Sequence, residues 1–493
     1  MSDADPELRL DASVQRLAGP DGTATLLGGS PLRVLRLRTP ADAVIEALSR
    51  GCTIEQALEG VSIDRRAASR RFVDTLIRRG LVHPTPKADQ ARALADVTIV
   101  IPVRNRAVSL ARLLHALAPL GERGVRMVVV DDGSTDQSAF IAEQAGATVI
   151  RHSRARGPAA ARNAGAEIVA TELLAFLDSD VVPREHWLDR CVAHLDLAGS
   201  MRVDLVAPRI VGLVPDEDAS LIERYENIRS PLDLGPESSL IAPLTKVAYV
   251  PAAAFVVRTD TFRSVNGFDA ALHVGEDVDL LWRLHRKNAV LRYEPRAEVA
   301  HDHRSQFGPM LRRRMQYGTS AAALDSRHRG FVPPAVLSPW SIAVWALTLA
   351  HPLGAVGGAC VALATAERLT ARLPQLSTSD ARRLALRGHL AAGEQLADAS
   401  VRTWLPVFLF GSLGMRRFRL VLFVGIVGQG WREHRRTRRI VALPMFLALR
   451  ACDNAAYGVG VWVGSLRTRT IGALTPKIVN WPGRTKTDED AMP

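Results

Sequence analysis

Apolar and polar positions follow three different rhythms along the chain. Up to Pro86 the apolar runs are short. Residues 14–17, 22–27 and 32–37 stand between Gly-Pro-Asp-Gly (19–22) and Gly-Gly-Ser (28–30), which predicts short strands joined by turns. Helical spacing follows over 40–49, 53–58 and 64–79. Thr39, Cys52-Thr53 and Ser62 or Asp64 serve as helix starts, and Gly80 stops the last helix. Residues 1–86 therefore read as a winged-helix-like module, and the polar stretch 87–96 as a linker.

Between 97 and 330 the rhythm is strand, helix, strand. Apolar runs at 97–101, 127–130, 148–150 and 173–177 alternate with helical patterns at 109–117, 137–144 and 159–169. That alternation predicts an α/β domain with a mostly parallel, doubly wound sheet, whose ligands sit at the carboxyl ends of the strands.

The last region, 331–493, is apolar in long stretches. Residues 330–366 contain no Asp, Glu, Lys or Arg, and further apolar runs lie at 404–415, 420–431 and 441–449. Pro352 divides the charge-free run into pieces shorter than the ~20 residues of a membrane span. Interfacial or re-entrant helices, a buried all-α subdomain and one tilted span all remain open. Arg416-Arg417 and Arg432, Arg435, Arg436, Arg438 and Arg439 flank the apolar runs, as anchoring to anionic cytoplasmic lipid requires.

Composition bounds these readings. A chain of 493 residues, 47% of them apolar, allows about two to four structural units with sizeable cores. Aromatics at 5% leave those cores to Ala, Val, Leu and Ile, and 23% charged residues exclude global disorder. Cys52, Cys191, Cys360 and Cys452 stand singly, which argues against a disulfide scaffold or zinc module and suits a reducing compartment. The acidic, polar start has no secretory-signal pattern. The net charge is +12, and five lysines leave arginine to supply almost all the positive charge. Nucleic acid, anionic lipid, phosphorylated ligands or plain codon bias would each account for that excess.

Candidate chemistry gathers at the predicted strand ends. IPVRN (101–105) puts Pro102, Arg104 and Asn105 after one strand, and VVVDDGSTD (128–136) puts Asp131 and Asp132 after the next. Those carboxylates suit a base imide or ribose hydroxyl, although such a segment is also an ordinary helix cap. RGPAAARNAG (156–165) places Arg162 on the second turn of a helix, where it can stack on a base, reach a phosphate or simply face solvent. FLDSD (176–180) presents Asp178 and Asp180 at i and i+2 after an apolar strand. This pair suits a hard divalent cation bridging to diphosphate oxygens.

In this order and spacing the four motifs resemble glycosyltransferase family 2. The resemblance covers about 97–330 and continues through PAAAF (251–255), NGFD (266–269), GEDVD (275–279), Trp282-Arg283 and AHDHR (300–304). It implies a GT-A nucleotide-diphosphosugar fold, inversion at the anomeric carbon and a divalent cation, Mg2+ or Mn2+. By position Asp277 is the general base, with Glu276 and Asp279 as alternatives. Asp180 would hold the metal, Asp178 ribose or metal, and His301 or His303 would complete the coordination. Pro102, Arg104, Asn105, Asp131, Asp132 and Arg162 would line the nucleotide-sugar site. Arg313, Arg314 and Gln316, within RRRMQYG (312–318), and Trp282 are candidates for the diphosphate or the acceptor. The segment departs from the QxxRW form of processive synthases, which puts processivity in doubt.

The first module, ending RFVDTLIRRGLV (71–82), resembles PqqD-like peptide-recognition domains. Arg65, Arg66, Arg70 and Arg71 also allow a duplex-binding helix or a solvated face. A PqqD-like module, a family 2 domain and an Arg-flanked apolar tail together resemble the glycosyltransferases of mycofactocin biosynthesis. That architecture implies transfer of a sugar, glucose from UDP-glucose, onto a peptide-derived redox-cofactor precursor, building a β-linked oligosaccharide at the cytoplasmic face of the membrane. No nucleic-acid partner is expected. The rival readings are a family 2 transferase acting on a polyprenyl-phosphate or cell-envelope glycan, and a DNA-binding regulator carrying a degenerate transferase domain.

Overall fold

Strands of the central region are apolar on both faces, so each must be covered by helices on two sides. In the computed structural model, which describes residues 5–18, 24–37, 39–89, 93–213, 218–303, 305–351, 353–437 and 440–479, this burial is met by a nine-stranded sheet. Its main path runs Val181–Pro183, Leu291–His301, Leu205–Gly212, Ala254–Arg258, Leu173–Leu177, Val97–Val103, Arg126–Asp131 and Thr148–Arg151. Ser239–Leu240 pairs with Leu291–His301 off that path. Ile99 and Ile101 point to one core with Leu110, Leu113 and Leu117 of helix Ala107–Glu122. Val100 and Phe176 point to the other, with Leu280, Leu281 and Leu284 of helix Glu276–Arg286.

The sheet is mixed, which corrects the expectation of a mostly parallel one. Val97–Val103 is parallel to Arg126–Asp131 and to Leu173–Leu177, and Arg126–Asp131 to Thr148–Arg151, as the strand–helix rhythm implies. Ala254–Arg258 then runs antiparallel beside Leu173–Leu177, and Val181–Pro183 antiparallel to Leu291–His301. Strand direction is not encoded in an apolar run, and the rhythm that implies it stops at Leu177.

The described residues divide into two compact units: 5–16 with 26–305, and 306–479 with 17–18 and 24–25. In the first unit, the amino-terminal strand Glu7–Leu10 pairs antiparallel with Val82–Thr85, enclosing helices Thr39–Arg50, Ile54–Leu58 and Ile63–Arg78. Thr53 and Gln56 form a reciprocal capping box on the second helix. The turn expected at 19–22 lies outside the described residues. Two of the candidate duplex-binding arginines are engaged locally: Arg66 donates to the Val61 carbonyl and Arg70 pairs with Glu55. The module is joined to the sheet by a buried polar contact through His83, and to the short helix Gly199–Met201 by a half-buried one. His83 bridges Asp11 at 2.9 Å and the buried Arg292 at 3.0 Å, and Ser200 donates to Asp74 at 2.6 Å.

The second unit is helical. Pro339–Ala350 and Gly354–Arg372 flank the predicted break; Pro352 itself lies outside the described residues. A 24-residue helix, Thr378–Val401, was not foreseen. Among the described residues no helix is long and apolar enough to cross a membrane. Helix Phe307–Arg327, which the sequence attaches to the transferase region, falls in this unit and packs along Leu443–Thr468. Backbones touch there. A Cβ at Gly318 would lie 2.1 Å from the Tyr457 carbonyl, and one at Gly460 would lie 2.0 Å from the Met315 carbonyl. Backbone cannot swing aside as a side-chain tip can, so Gly318→Ala should cost at least ~2 kcal/mol in overpacking, beyond the ~1 kcal/mol that alanine contributes as a helix former. Thermal unfolding followed by circular dichroism should show the helical transition lowered by about 4–8 °C. A transition unchanged within a degree would refute this packing.

Candidate active site

The carboxyl ends of the parallel strands open on one crevice, and each is shaped by its own loop. Asn105, with φ 51°, turns the chain after Val97–Val103. Its Oδ1 accepts from the Thr135 amide at 2.8 Å while its own amide donates to Ser134 Oγ at 3.0 Å. The IPVRN and DDGSTD loops are thereby tied to each other. Pro102 is half-buried at the strand end, and Arg104 is exposed.

The two adjacent carboxylates differ. Asp131 is buried, accepts from the Ser134 amide at 2.8 Å and lies 3.5 Å from Arg151. Asp132 accepts from His152 and from the amides of Arg156 and Gly157, each at 2.8 Å, so it anchors the loop leading into helix Pro158–Glu167. Burial alone would raise its pKa, but these hydrogen bonds outweigh burial and hold it below the ordinary carboxylate value.

Arg162 is the junction of the site. It is 4% exposed, donates to Asp178 at 2.6 Å and to Glu276 at 3.2 Å, and lies over the Phe268 ring. Burial disfavours its charge, but Asp178 and then Glu276 more than restore it, and its pKa is raised. The next residue, Asn163, makes a reciprocal pair with the Phe268 backbone, at 2.7 and 2.9 Å. RGPAAARNAG, FLDSD, NGFD and GEDVD are thus one assembly.

The acidic helix start separates the three candidate bases. Asp279 is buried and bonded to Arg283, which also donates to the Val265 and Gly267 carbonyls, so it holds the NGFD turn. Asp277 is half-buried and accepts from the Ala252 amide at 3.2 Å and from Val278 at 2.8 Å. Glu276 is buried against Arg162. Burial, then the neighbouring Asp277 charge, pushes Glu276 up to about 7 against the pull of Arg162. Burial likewise raises Asp277. Trp282 is buried and donates to the Ala248 carbonyl.

Asp180 sits where two strands meet. Val181–Pro183 pairs with Leu291–His301 so that Val181 faces His301, and the Asp302 amide donates to the Asp180 carbonyl at 3.0 Å. His301 Nε2 is 3.7 Å from Asp180, and Arg106 is 3.4 Å from it. Arg106 lies just outside the candidate set that IPVRN offers. The only signal was its place one residue past a strand-end Asn.

A hard cation suits this corner, because the half-buried Asp180 carboxylate faces His301 Nε2 across 3.7 Å, an oxygen and a nitrogen donor that do not hydrogen-bond to each other. No group of three or more His, Cys, Asp or Glu among the described residues is placed to hold a metal. Phosphate oxygens of a donor would have to supply the other ligands, as is usual for Mg2+. His303 lies on the far side of His301, its ring 5.2 Å from that of His301 and its Nε2 close to Gly212. In the helical unit, Arg314 is buried and bonded to Asp453 at 2.5 Å, Arg313 covers the Tyr317 ring, and Gln316 is exposed.

Comparisons with known proteins agree with the motifs. The model of Glycosyl transferase family 2 matches residues 98–217, and that of Glycosyl transferase family group 2 matches 173–373. The Pre-mycofactocin glycosyltransferase of Mycobacterium tuberculosis is 40% identical over 471 residues, covering 93% of this chain and 95% of that protein. Glycosyltransferase AglE of Haloferax volcanii is 27% identical over 232 residues, 46% of this chain and 72% of its own. Among solved structures, the mannosyltransferase PcManGT of Pyrobaculum calidifontis, in complex with GDP-Man and Mn2+, covers 87% of this chain and 99% of its own at 15% identity. Its TM-score of 0.42 is too low to inform the site. Identity of 40% across nearly the full length, together with the family model on the strand-end motifs, establishes that the chain belongs to glycosyltransferase family 2 and is a glycosyltransferase.

Proposed function

We propose that this enzyme moves glucose from UDP-glucose onto a peptide-derived redox-cofactor precursor of the mycofactocin type, with inversion, and extends a β-linked oligosaccharide. The observation that carries this reading is the full-length 40% identity to a protein named for that acceptor. The Arg162 assembly supports it by bringing the family's motifs into one site with their carboxylates intact.

The uracil and ribose would lie over the strand ends, with Asp131 and Asp178 accepting from their donors. Asp180 and His301 would hold the divalent cation, which neutralises diphosphate charge when bound. Arg106 stands beside them as an exposed positive neighbour, 3.4 Å from Asp180. Asp277 takes the acceptor hydroxyl proton while the oxygen attacks the anomeric carbon opposite the departing diphosphate, which inverts the centre. Arg162 acts through Asp178 and Glu276, setting their positions rather than touching the reacting atoms. The amino-terminal module would present the peptide, by strand addition in the manner of PqqD-like domains.

Asp277→Asn should lower kcat by about 10²–10⁴-fold with the melting temperature retained. Below neutral pH the Glu276–Asp277 pair holds a proton, since both groups are raised. The wild-type kcat/KM should therefore climb with pH through the neutral range and level off above it. Full activity in Asp277→Asn would remove Asp277 as the base, and a flat profile across that range would show that the Glu276 proton does not limit turnover.

Excess EDTA should stop turnover and added Mn2+ should restore it, while Asp180→Ala should weaken Mn2+-dependent UDP binding in calorimetry. Turnover that persists in EDTA excludes the metal reading.

Labelled UDP-glucose offered together with pre-mycofactocin and polyprenyl phosphate identifies the acceptor. Label is expected in the small peptide-derived product; label found only in the organic-extractable lipid would transfer the assignment to the envelope-glycan reading.

A further inference from the structure

Helix Leu405–Gly414 carries no charged residue, and none of its residues is buried. Phe410 is 79% and Leu413 82% exposed. The helix folds back on Arg416–Phe423, with the Phe408 and Phe418 rings 5.0 Å apart. Gly411 permits that closure, because a Cβ there would lie 2.6 Å from the Phe418 ring. The hairpin thus satisfies its own inner face and leaves Val407, Leu409, Phe410, Leu413, Leu420 and Phe423 exposed. Single exposed apolar residues are ordinary, whereas a contiguous apolar hairpin marks a docking surface.

Charge identifies the occupant. Arg416, Arg417 and Arg419 are exposed on the same hairpin, and no Asp or Glu occurs from residue 399 to residue 432. A second copy of a +12 chain would set these arginines against their own kind. An anionic bilayer accepts both features, the apolar face in its acyl layer and the arginines among its headgroups. Ten helical residues reach about 15 Å, half of a ~30 Å hydrocarbon core. The hairpin can therefore enter one leaflet without crossing, consistent with the absence of a spanning helix among the described residues.

We propose that the hairpin Leu405–Phe423 is a one-leaflet anchor that seats the enzyme on an anionic lipid surface. This narrows the lipid contact expected from the sequence to the side that carries Arg416-Arg417. Of the arginines expected to meet headgroups, Arg432 is paired with Glu394 and Arg435 covers the Trp431 ring, while Arg438 and Arg439 lie outside the described residues. The anchor is independent of which sugar and acceptor the site takes.

Flotation of the full chain with phosphatidylcholine vesicles, with and without phosphatidylglycerol, tests the anchor. Wild type should float with the anionic vesicles and be partly released by salt. Phe410→Glu with Leu413→Glu should bind at least ~10-fold more weakly at an unchanged melting temperature, since both side chains are already in solvent. Replacing Arg416, Arg417 and Arg419 by serine should cost about fivefold per charge on anionic vesicles only. Wild type that fails to float, or a double variant that floats as wild type does, overturns the proposal. So does a wild-type dimer that the double variant converts to monomer without any vesicle binding, which would assign the face to a second copy.

Discussion

The site depends on one buried cation. Arg162 is enclosed by protein, and its desolvation is tolerable only because Asp178 and Glu276 approach it from two sides. These groups come from segments about a hundred residues apart in the chain, 162 and 178 against 276. Removing the guanidinium would leave two partly buried carboxylates facing each other beside a third, Asp277. The imbalance also explains the proton affinity of the acidic helix start. One arginine cannot neutralise three carboxylates in a half-dry pocket, so the pair farther from Asp178 keeps a proton to unusually high pH. A site with that surplus of negative charge suits a cationic ligand and a proton acceptor together.

A second buried polar cluster joins the amino-terminal module to the same sheet. Arg292 meets His83 from the module, and two residues along the strand Glu294 holds His194 at 2.7 Å and Arg296 at 2.9 Å. Burial pulls Arg292 down to about 10 and His194 down to about 4, so the histidine is neutral and the cluster is ordered by hydrogen bonds more than by net charge. Strand Leu291–His301 therefore contacts the module near its start and Asp180 at its end. Buried polar groups of this kind add little stability compared with an apolar core, but they specify which surfaces meet.

Much of this was legible in the sequence because it lies at strand ends. Runs such as 173–177 are long enough, apolar enough and sharply enough bounded that strand Leu173–Leu177 and the carboxylates beyond it follow directly. What was not legible is pairing across distance. Nothing local distinguishes Arg162, which binds two carboxylates, from an arginine that reaches for phosphate. Nothing local shows that Arg314 is spent on Asp453, or that Trp282 turns into the core. The strands 205–212, 254–258 and 291–301 lack the regular spacing that identified the earlier ones. Helix Thr378–Val401 gives little signal in the sequence because its inward face is largely alanine, Ala381, Ala385 and Ala392 among them, and alanine makes a weak apolar stripe.

The two histidines of AHDHR show how far register decides what motif cannot. They are two residues apart, chemically identical, and equally compatible with a metal when read as text. The antiparallel ladder that sets Val181 opposite His301 places the residue before Val181, Asp180, beside His301, and the Asp302 amide locks that step to the Asp180 carbonyl. A slip of one residue would turn His301 to the opposite face of the sheet. His303 falls past the end of the ladder, its ring 5.2 Å from that of His301 and close to Gly212, which also lies against Asn227. The geometry of the proposed cation corner is thus set by backbone pairing, Val181 with His301 and Asp302 with Asp180, which carries none of its chemistry.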